Sequence, residues 1–362
     1  MKKKLEILFY VEYPYYFPHF IPISNYFQSR GASVIYILSA KQNVQNMENI
    51  AKKNNVSYSF DLEYLYKKNI DVVFFANHFE FIAKVSALKI ILEHGVGTKF
   101  LTTFYKTIKT MDIYLIEGKH RQLKMSREFP KYVDKLKVVG FSKLDAITDY
   151  KGNYKEGLYT KYKLDKDKKI ILYAPTFFPS SIEKMGNDFP EIFSECNIIV
   201  KAHYLTFERS KYKKQVEKFN VWRQYSNVTI LPLEEDSIVP FLAISDVMIS
   251  DESSAMFEFA ALNKPVISNR FLNLRWSYYL MPWKLRLRMD SSKDKYRTIL
   301  DNANSYEEMV SLTKEALINP RKLEQQRIMF SKDICGVIDG RVSERIYNVV
   351  INKIEENNEI SI

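Results

Sequence analysis

Three short stretches in the second half of the chain carry residue types suited to phosphate chemistry. They are Tyr173-Ala174-Pro175-Thr176, Lys201-Ala202-His203 and Ser250-Asp251-Glu252-Ser253-Ser254. Each ends an apolar run of β character, and the third leads straight into a helical stretch, AMFEFAALN (255–263). Small hydroxyl residues that open a helix leave backbone N–H groups pointing outwards at the positive end of the dipole, which seats a phosphate without any glycine loop. Glu258 falls four residues after Ser254, on the same helix face one turn on, where a carboxylate can accept hydrogen bonds from ribose hydroxyls. Taken singly, each feature also has an ordinary reading. Ser253 and Ser254 serve as helix caps, His203 as a structural strand-end histidine, and Glu258 as a solvated helix residue. Their combination at three successive strand ends points instead to a nucleotide-diphosphate site.

The rest of the sequence removes several classes. Glycine is scarce, 10 in 362 residues. Gly95 and Gly97 make the one GxG, and no glycine follows three residues later, so the dinucleotide fingerprint and the GxxxxGK[ST] phosphate loop are both absent. Classical NAD enzymes and P-loop kinases are thereby excluded. Cys196 and Cys335 are too few for a disulfide framework or a thiolate metal site. No paired carboxylates have metal-site spacing beyond the adjacent Asp251-Glu252, so no metal is expected. The N-terminal run MKKKLEILFYVEYPYYF is interrupted by Glu6 and Glu12, which leaves it too short for export or for a membrane span. A cytoplasmic location is expected.

These residues must be positioned by alternating strands and helices. Apolar β runs are KLEILFYV (4–11), ASVIYIL (32–38), DVVFFAN (71–77), KIILEHG (89–95), DIYLIEG (112–118) and KLKVVG (135–140). Continuous apolar runs are expected where both faces of a parallel sheet are covered. A polar segment, 149–169, reads as an interdomain linker. A second series follows in KIILYAP (169–175), NIIVKAH (197–203), NVTILP (227–232), DVMIS (246–250) and PVIS (265–268). The last stretch, DGRVSERIYNVVINKIEE, predicts an amphipathic helix with Asp339 as its N-cap. The expected fold class is α/β, with two Rossmann-like parallel-sheet domains facing a cleft. Residues 1–150 form an acceptor-side domain, residues 151–335 a nucleotide-donor domain, and residues 336–362 a helix that packs back on the first.

The succession YAPT, KAH, AISDVMISDESSAMFEFAALNKPVI and DGRVSER resembles the CDP-glycerol glycerophosphotransferase family of teichoic-acid primases and polymerases. Glu93-His94-Gly95-Val96-Gly97-Thr98-Lys99 is similar to that family's WHGTPxK, and Gly140-Phe141-Ser142-Lys143-Leu144-Asp145 to its GyPRxD. The resemblance covers roughly residues 89–350 and implies the GT-B fold. It implies that His94 is the general base on the acceptor side and that His203 contacts the donor diphosphate. Ser253 and Ser254 would then lie at the phosphate-binding helix tip, with Arg345 of the DGRVSER segment bringing positive charge to the same phosphates. This chain departs from the pattern at Phe177-Phe178 (an Arg in the family), Tyr204 (Pro), Glu252 (Tyr) and HGVG (HGTP).

The implied reaction is attack by an acceptor hydroxyl on the phosphorus that bears the polyol, with release of CMP. Histidine suits the base role, while Thr176, Lys201, Asp251 and the helix tip align and neutralise the donor. No cofactor is expected beyond the CDP-polyol donor. A GT-B glycosyltransferase using a nucleotide sugar is the alternative. The segment 269–288 mixes Arg270, Arg275, Trp276 and Trp283 with other aromatics and cations, a composition suited to an anionic membrane surface or a lipid-linked acceptor. With His19 of the first aromatic loop, it marks the expected acceptor or membrane surface. The formal charge is +11, yet no nucleic-acid motif accompanies it, so nucleic acid is not an expected partner. The protein is expected to sit peripherally on the inner face of the cell membrane, with a lipid-linked or polymeric glycan as acceptor.

Overall fold

The computed structural model describes residues 4–41, 44–92, 95, 107–149, 153–235, 237–251, 253–274 and 296–360. His94, Glu252, Arg275, Trp276 and Trp283 lie outside these residues. The chain forms two compact units, the first made of residues 1–148 and 333–362 and the second of residues 149–332.

In the first unit the apolar runs become β1 (Glu6–Val11), β2 (Ser33–Leu38), β3 (Tyr58–Ser59), β4 (Val72–Phe75), β5 (Leu88–Leu92), β6 (Ile113–Ile116) and β7 (Leu136–Val138). They pair in the order β3-β2-β1-β4-β5-β6-β7, and every pairing is parallel. Strand side chains alternate between faces. Ile7, Phe9 and Val11 therefore enter one core, while Leu8 and Tyr10 enter the core on the other side. The helix Phe17–Ser29 and the C-terminal helix Val342–Ile360 cover the first face, contributing Phe20, Ile23 and Phe27 from one and Val342, Ile346 and Val350 from the other.

The second unit repeats the plan with β8 (Lys169–Ala174), β9 (Cys196–Val200), β10 (Val228–Ile230), β11 (Val247–Ser250), β12 (Val266–Asn269) and β13 (Asp301–Ala303). Their order is β10-β9-β8-β11-β12-β13, again all parallel. Trp222, Phe219 and Phe189 pack over Ile171, Tyr173, Ile198 and Val200 on one face. In both sheets the chain starts in the middle, builds outwards to one edge, then returns to the other side of the first strand. The switch points lie between β1 and β4 and between β8 and β11, where open α/β sheets place their ligands.

Two expectations are corrected here. The segment read as a linker contains the helix Asn153–Tyr162, anchored by an ion pair from Lys161 to Glu235 and by the Tyr162 ring against Phe241. Its polar composition reflects a largely solvated helix. The C-terminal helix starts at Val342, three residues beyond the expected cap. Asp339 accepts from the Arg341 amide at 3.1 Å, but the Val342 amide donates to the Asp145 carboxylate at 2.6 Å. The GFSKLD and DGRVSER segments are thus clasped together.

Candidate functional site

The three predicted strand ends meet at one edge of the second sheet. Register pairs Ala174 of β8 with Ser250 of β11, and Tyr173 of β8 with Val200 of β9. Thr176, Lys201–His203 and the residues Asp251, Ser253 and Ser254 therefore emerge side by side after β8, β9 and β11, at the β8/β11 switch point and its flank. The strand ends are tied at this level by the Ser250 hydroxyl, which donates to the Ala174 carbonyl at 2.7 Å, and by the Lys201 amide, which donates to the Tyr173 carbonyl at 2.9 Å.

Asp251 organises the loop after β8. It is 0% exposed, and its carboxylate accepts from the amides of Thr176 (3.1 Å) and Ser181 (3.2 Å) and from the hydroxyls of Ser180 (3.1 Å) and Ser181 (2.6 Å). The Ser181 oxygen also accepts from Asn269 at 3.0 Å. Because the one Ser181 proton goes to Asp251, the 2.8 Å contact with Tyr173 runs from the tyrosine hydroxyl to the serine. Burial pushes the Asp251 carboxyl up to about 7, and its Ser181, Ser180 and Thr176 donors oppose that rise. The expected direct role of Asp251 at the phosphates is corrected accordingly: the carboxylate faces inwards and braces the site. Ser180, Ser181 and Asn269 were not singled out from sequence, and Tyr173 was named only as the start of the YAPT stretch. The paired serines six residues after β8 were the available signal.

The helix Ser254–Ala261 starts immediately beyond. Ser253 is its N-cap, accepting from the Ala255 amide at 3.1 Å, while its own amide donates to the Asp251 carbonyl at 2.8 Å. The amides of Ser254 and Met256 have no acceptor within the helix and sit at the positive dipole end. Glu258 lies one turn in and is fully buried, as are all residues from Met256 to Ala261. The helix is enclosed all round, so Glu258 stands inside the unit and not on an open face for ribose.

His203 caps the short helix Tyr204–Glu208. Its Nδ1 accepts from the Leu205 amide at 3.2 Å, which places the ring proton of the neutral imidazole on Nε2. The half-buried ring lies 4.7 Å from both the Phe177 and the Tyr204 rings. Burial, reinforced by Lys201 and Arg209, lowers its pKa to about 4. At neutral pH His203 is therefore an uncharged Nε2–H donor among cations, able to hydrogen-bond a phosphate oxygen. Thr176 directs its hydroxyl to the Pro179 carbonyl, shaping the same loop. Lys264, of the KPVI motif, has a structural use. Its ammonium donates to the carbonyls of Leu242, Ala243 and Ser245 at the end of the helix Val239–Ile244, and burial lowers its pKa to about 8.

Other predicted residues fall elsewhere. Arg345 belongs to the first unit, where its guanidinium donates to the carbonyl of Val139 at 2.7 Å, to Asp339 at 2.9 Å and to the carbonyl of Val337 at 3.3 Å. It is a lock within the clasp of the C-terminal helix. Gly140 is part of that lock. Its φ is +101°, and a Cβ there would meet Val342 at 2.7 Å and Arg345 at 3.1 Å. His19 is 1% exposed inside the first unit, its ring edge-on to Phe141, with the Ser142 hydroxyl donating to its carbonyl. It is not on an acceptor or membrane surface. Arg270 follows β12, half-buried, its amide bonded to the Ala303 carbonyl.

Comparison with known proteins accords with this geometry. A poly(ribitol-phosphate) teichoic acid polymerase of Bacillus spizizenii is 29% identical over 216 residues, 56% of this chain and 31% of that protein. A teichoic acid glycerol-phosphate primase of the same organism is 31% identical over 170 residues, 45% of this chain and 41% of the primase. The chain thus spans less than half the length of these two relatives. Among solved structures, the wall teichoic acid polymerase TagF superposes with a TM-score of 0.64 at 17% identity, covering 98% of this chain and 90% of TagF. The MnaA–UDP structure from S. aureus gives 0.65 at 16% identity, covering 98% and 97%. The fold class is GT-B, with two Rossmann-like parallel-sheet units. A family profile described as CDP-glycerol:poly(glycerophosphate) glycerophosphotransferase matches residues 28–352, and the chain belongs to that family.

Proposed function

We propose that this chain is a CDP-polyol phosphotransferase. It transfers the polyol phosphate of CDP-glycerol, or of a related CDP-polyol, to a hydroxyl of a cell-surface polymer or lipid-linked acceptor. The acceptor oxygen forms a new bond to the polyol-bearing phosphorus, the bond from that phosphorus to the CMP oxygen breaks, and the acceptor proton passes to a base. The observation that carries the reading is the placement of Lys201 and His203 after β9 and of the Ser253-capped helix tip after β11, on either side of β8 at the same edge of the sheet. These groups supply two cation or hydrogen-bond donors and a dipole end. Phosphoryl transfer draws on such charge neutralisation and alignment. No further cofactor or metal enters this reading.

His203 donates from Nε2 to a donor phosphate, and His94 is the acceptor-side base on the strength of its HG motif. Asp251 holds the loop that carries Thr176 in place. The acceptor is met at the inner face of the membrane, through Arg270, Arg275, Trp276 and Trp283. No helix among the described residues is long and apolar enough to cross a membrane. Co-sedimentation with anionic liposomes at low salt tests that location, and a protein left in the supernatant would remove it.

The deciding experiment offers CDP-glycerol, CDP-ribitol and UDP-sugars with a polyol-phosphate acceptor and measures the released nucleotide by mass spectrometry. CMP from a CDP-polyol is expected, whereas UDP from a sugar donor would establish a glycosyltransferase instead. His203→Ala and His94→Ala should each lower kcat by about 100-fold or more in a folded protein. Near-normal turnover in the His94 variant would remove it as the base.

A further inference from the structure

The short helix that His203 caps is followed by a strongly basic stretch. Residues 208–214 read ERSKYKK, four cations against one carboxylate. Arg209, Lys211, Lys213 and Lys214 are all exposed. Lys213 lies 3.5 Å from Glu217, one turn on, while neither Lys211 nor Lys214 has a carboxylate partner among the described residues.

Local folding does not explain these cations. Lys213 and Lys214 open the helix Lys213–Trp222, whose first turn holds no acidic residue and whose N-cap, Tyr212, gives it no side-chain hydrogen bond. A cation there faces the positive pole of the helix dipole and lowers helix stability, where a carboxylate would raise it. An anion from outside the chain relieves that repulsion.

The stretch is pinned beside the loop after β8. The Tyr212 ring is 5% exposed and meets the Phe177 ring edge-on at 5.7 Å, and the Lys211 ammonium lies 5.0 Å from the Tyr212 ring centre. Gln215, in the first turn of the same helix and 1% exposed, donates from Nε2 to the Phe177 carbonyl at 3.0 Å. Phe177 in turn packs on the His203 ring. Arg209 lies near enough to His203 to act on its charge state. The cations therefore continue outwards from the strand end that carries Lys201 and His203.

We propose that this basic face binds a chain of phosphodiesters, the polyol-phosphate part of the acceptor, beside the donor-phosphate site. Charge complementarity and continuity with Lys201 and His203 select that occupant. The proposal rests on the phosphotransferase reading, in which each transfer leaves one more phosphodiester, and so one more negative charge, on the product. A product held by its earlier phosphates stays bound for the next transfer, so the face favours chain extension over a first addition.

The test uses the full chain and the double variant Lys211→Gln/Lys214→Gln, two exposed substitutions that leave Arg209 and His203 in place. CMP release from CDP-glycerol is followed with an acceptor carrying one glycerol phosphate and with a poly(glycerol phosphate) oligomer. The KM for the oligomer should rise about 10-fold at low salt, and the difference should fade as salt is raised. kcat and the KM values for CDP-glycerol and for the one-unit acceptor should match the parent protein. An unchanged oligomer KM, or an equal rise for the one-unit acceptor, would overturn the inference. Fluorescence anisotropy with labelled oligomer needs no turnover and should show the variant binding about 10-fold more weakly. If the parent protein releases no CMP from any CDP-polyol, the phosphotransferase reading falls, and this binding measurement still decides the basic face. Failure of the parent to bind the oligomer counts against the proposal. So does tighter binding of a single-stranded oligonucleotide of equal charge, which makes nucleic acid the partner. A loss confined to phosphatidylglycerol vesicles makes the partner a membrane and also overturns it.

Discussion

The segments after β1 and β8 occupy equivalent places in the two sheets but are held by different physics. After β1, the loop is a cluster of rings: Tyr13 stacks on Tyr15 at 5.2 Å, and Tyr16 meets both edge-on. After β8, the loop is held by hydrogen bonds to the single carboxylate of Asp251. Ring packing is short-ranged but tolerant of exchange between similar shapes. A buried carboxylate with several donors is directional, and its loss leaves each donor unsatisfied. The contrast marks where atoms must sit at fixed positions, as the proposed phosphate site would require. The ring cluster need only keep its volume.

The sharpest way to break the contrast is Asp251→Ala, which strands two amides and two hydroxyls in the interior. It should lower stability by about 3–5 kcal/mol, read from urea unfolding, and abolish CMP release. A cost near zero would show that the loop does not depend on the carboxylate.

Acid titration gives the next effect. The Asp251 pKa is raised from 3.8 to about 7, so the folded state holds this proton more tightly than the unfolded chain. Its contribution is full below pH 3.8 and is lost as pH rises to about 7, a slope of up to about 1.4 kcal/mol per pH unit. His203 works the other way. Lowered from 6.5 to about 4, it contributes stability above pH 6.5 that is lost as pH falls through about 4. In Asp251→Asn the slope between these limits should therefore turn upward with pH. Parallel curves for the two proteins would contradict the assignment.

Asp145→Ala removes a cap of the C-terminal helix and should cost about 0.5–2 kcal/mol, seen as faster exchange in the first turn after Val342. Tyr13→Phe keeps the ring and should cost less than about 0.5 kcal/mol. A larger loss would mean that the aromatic loop too depends on specific hydrogen bonds.

The parallel strands were legible because runs such as VVFF and VMIS are apolar on both faces. β13 was not, since Asp301-Asn302-Ala303 is a short edge strand with no apolar pattern. β3, two residues long, gave no signal either. The strand-end residues of the site were legible as a group, because small hydroxyls, a lysine and a histidine recur after β8, β9 and β11. What sequence left hidden was which of them face inwards. Asp251 reads as a phosphate neighbour until its partners Ser180 and Ser181, about 70 residues away in the chain, are seen around it. Arg345 and Asp145 belong to the same kind. Asp145 meets Val342 across 197 residues, and local pattern carries no trace of a contact that distant.

The first unit is interrupted in the chain, and this orders its assembly. Residues 149–332 leave the ribosome as one uninterrupted stretch, so the second unit has all its strands at hand while translation continues. The first unit lacks Val342, Ile346 and Val350 until the whole of the second has been made. Its earlier strands and the helix Phe17–Ser29 thus wait with part of an apolar face unfilled, the condition under which a nascent chain is most open to misassociation. The second unit is therefore complete in sequence before the first, which closes only after it.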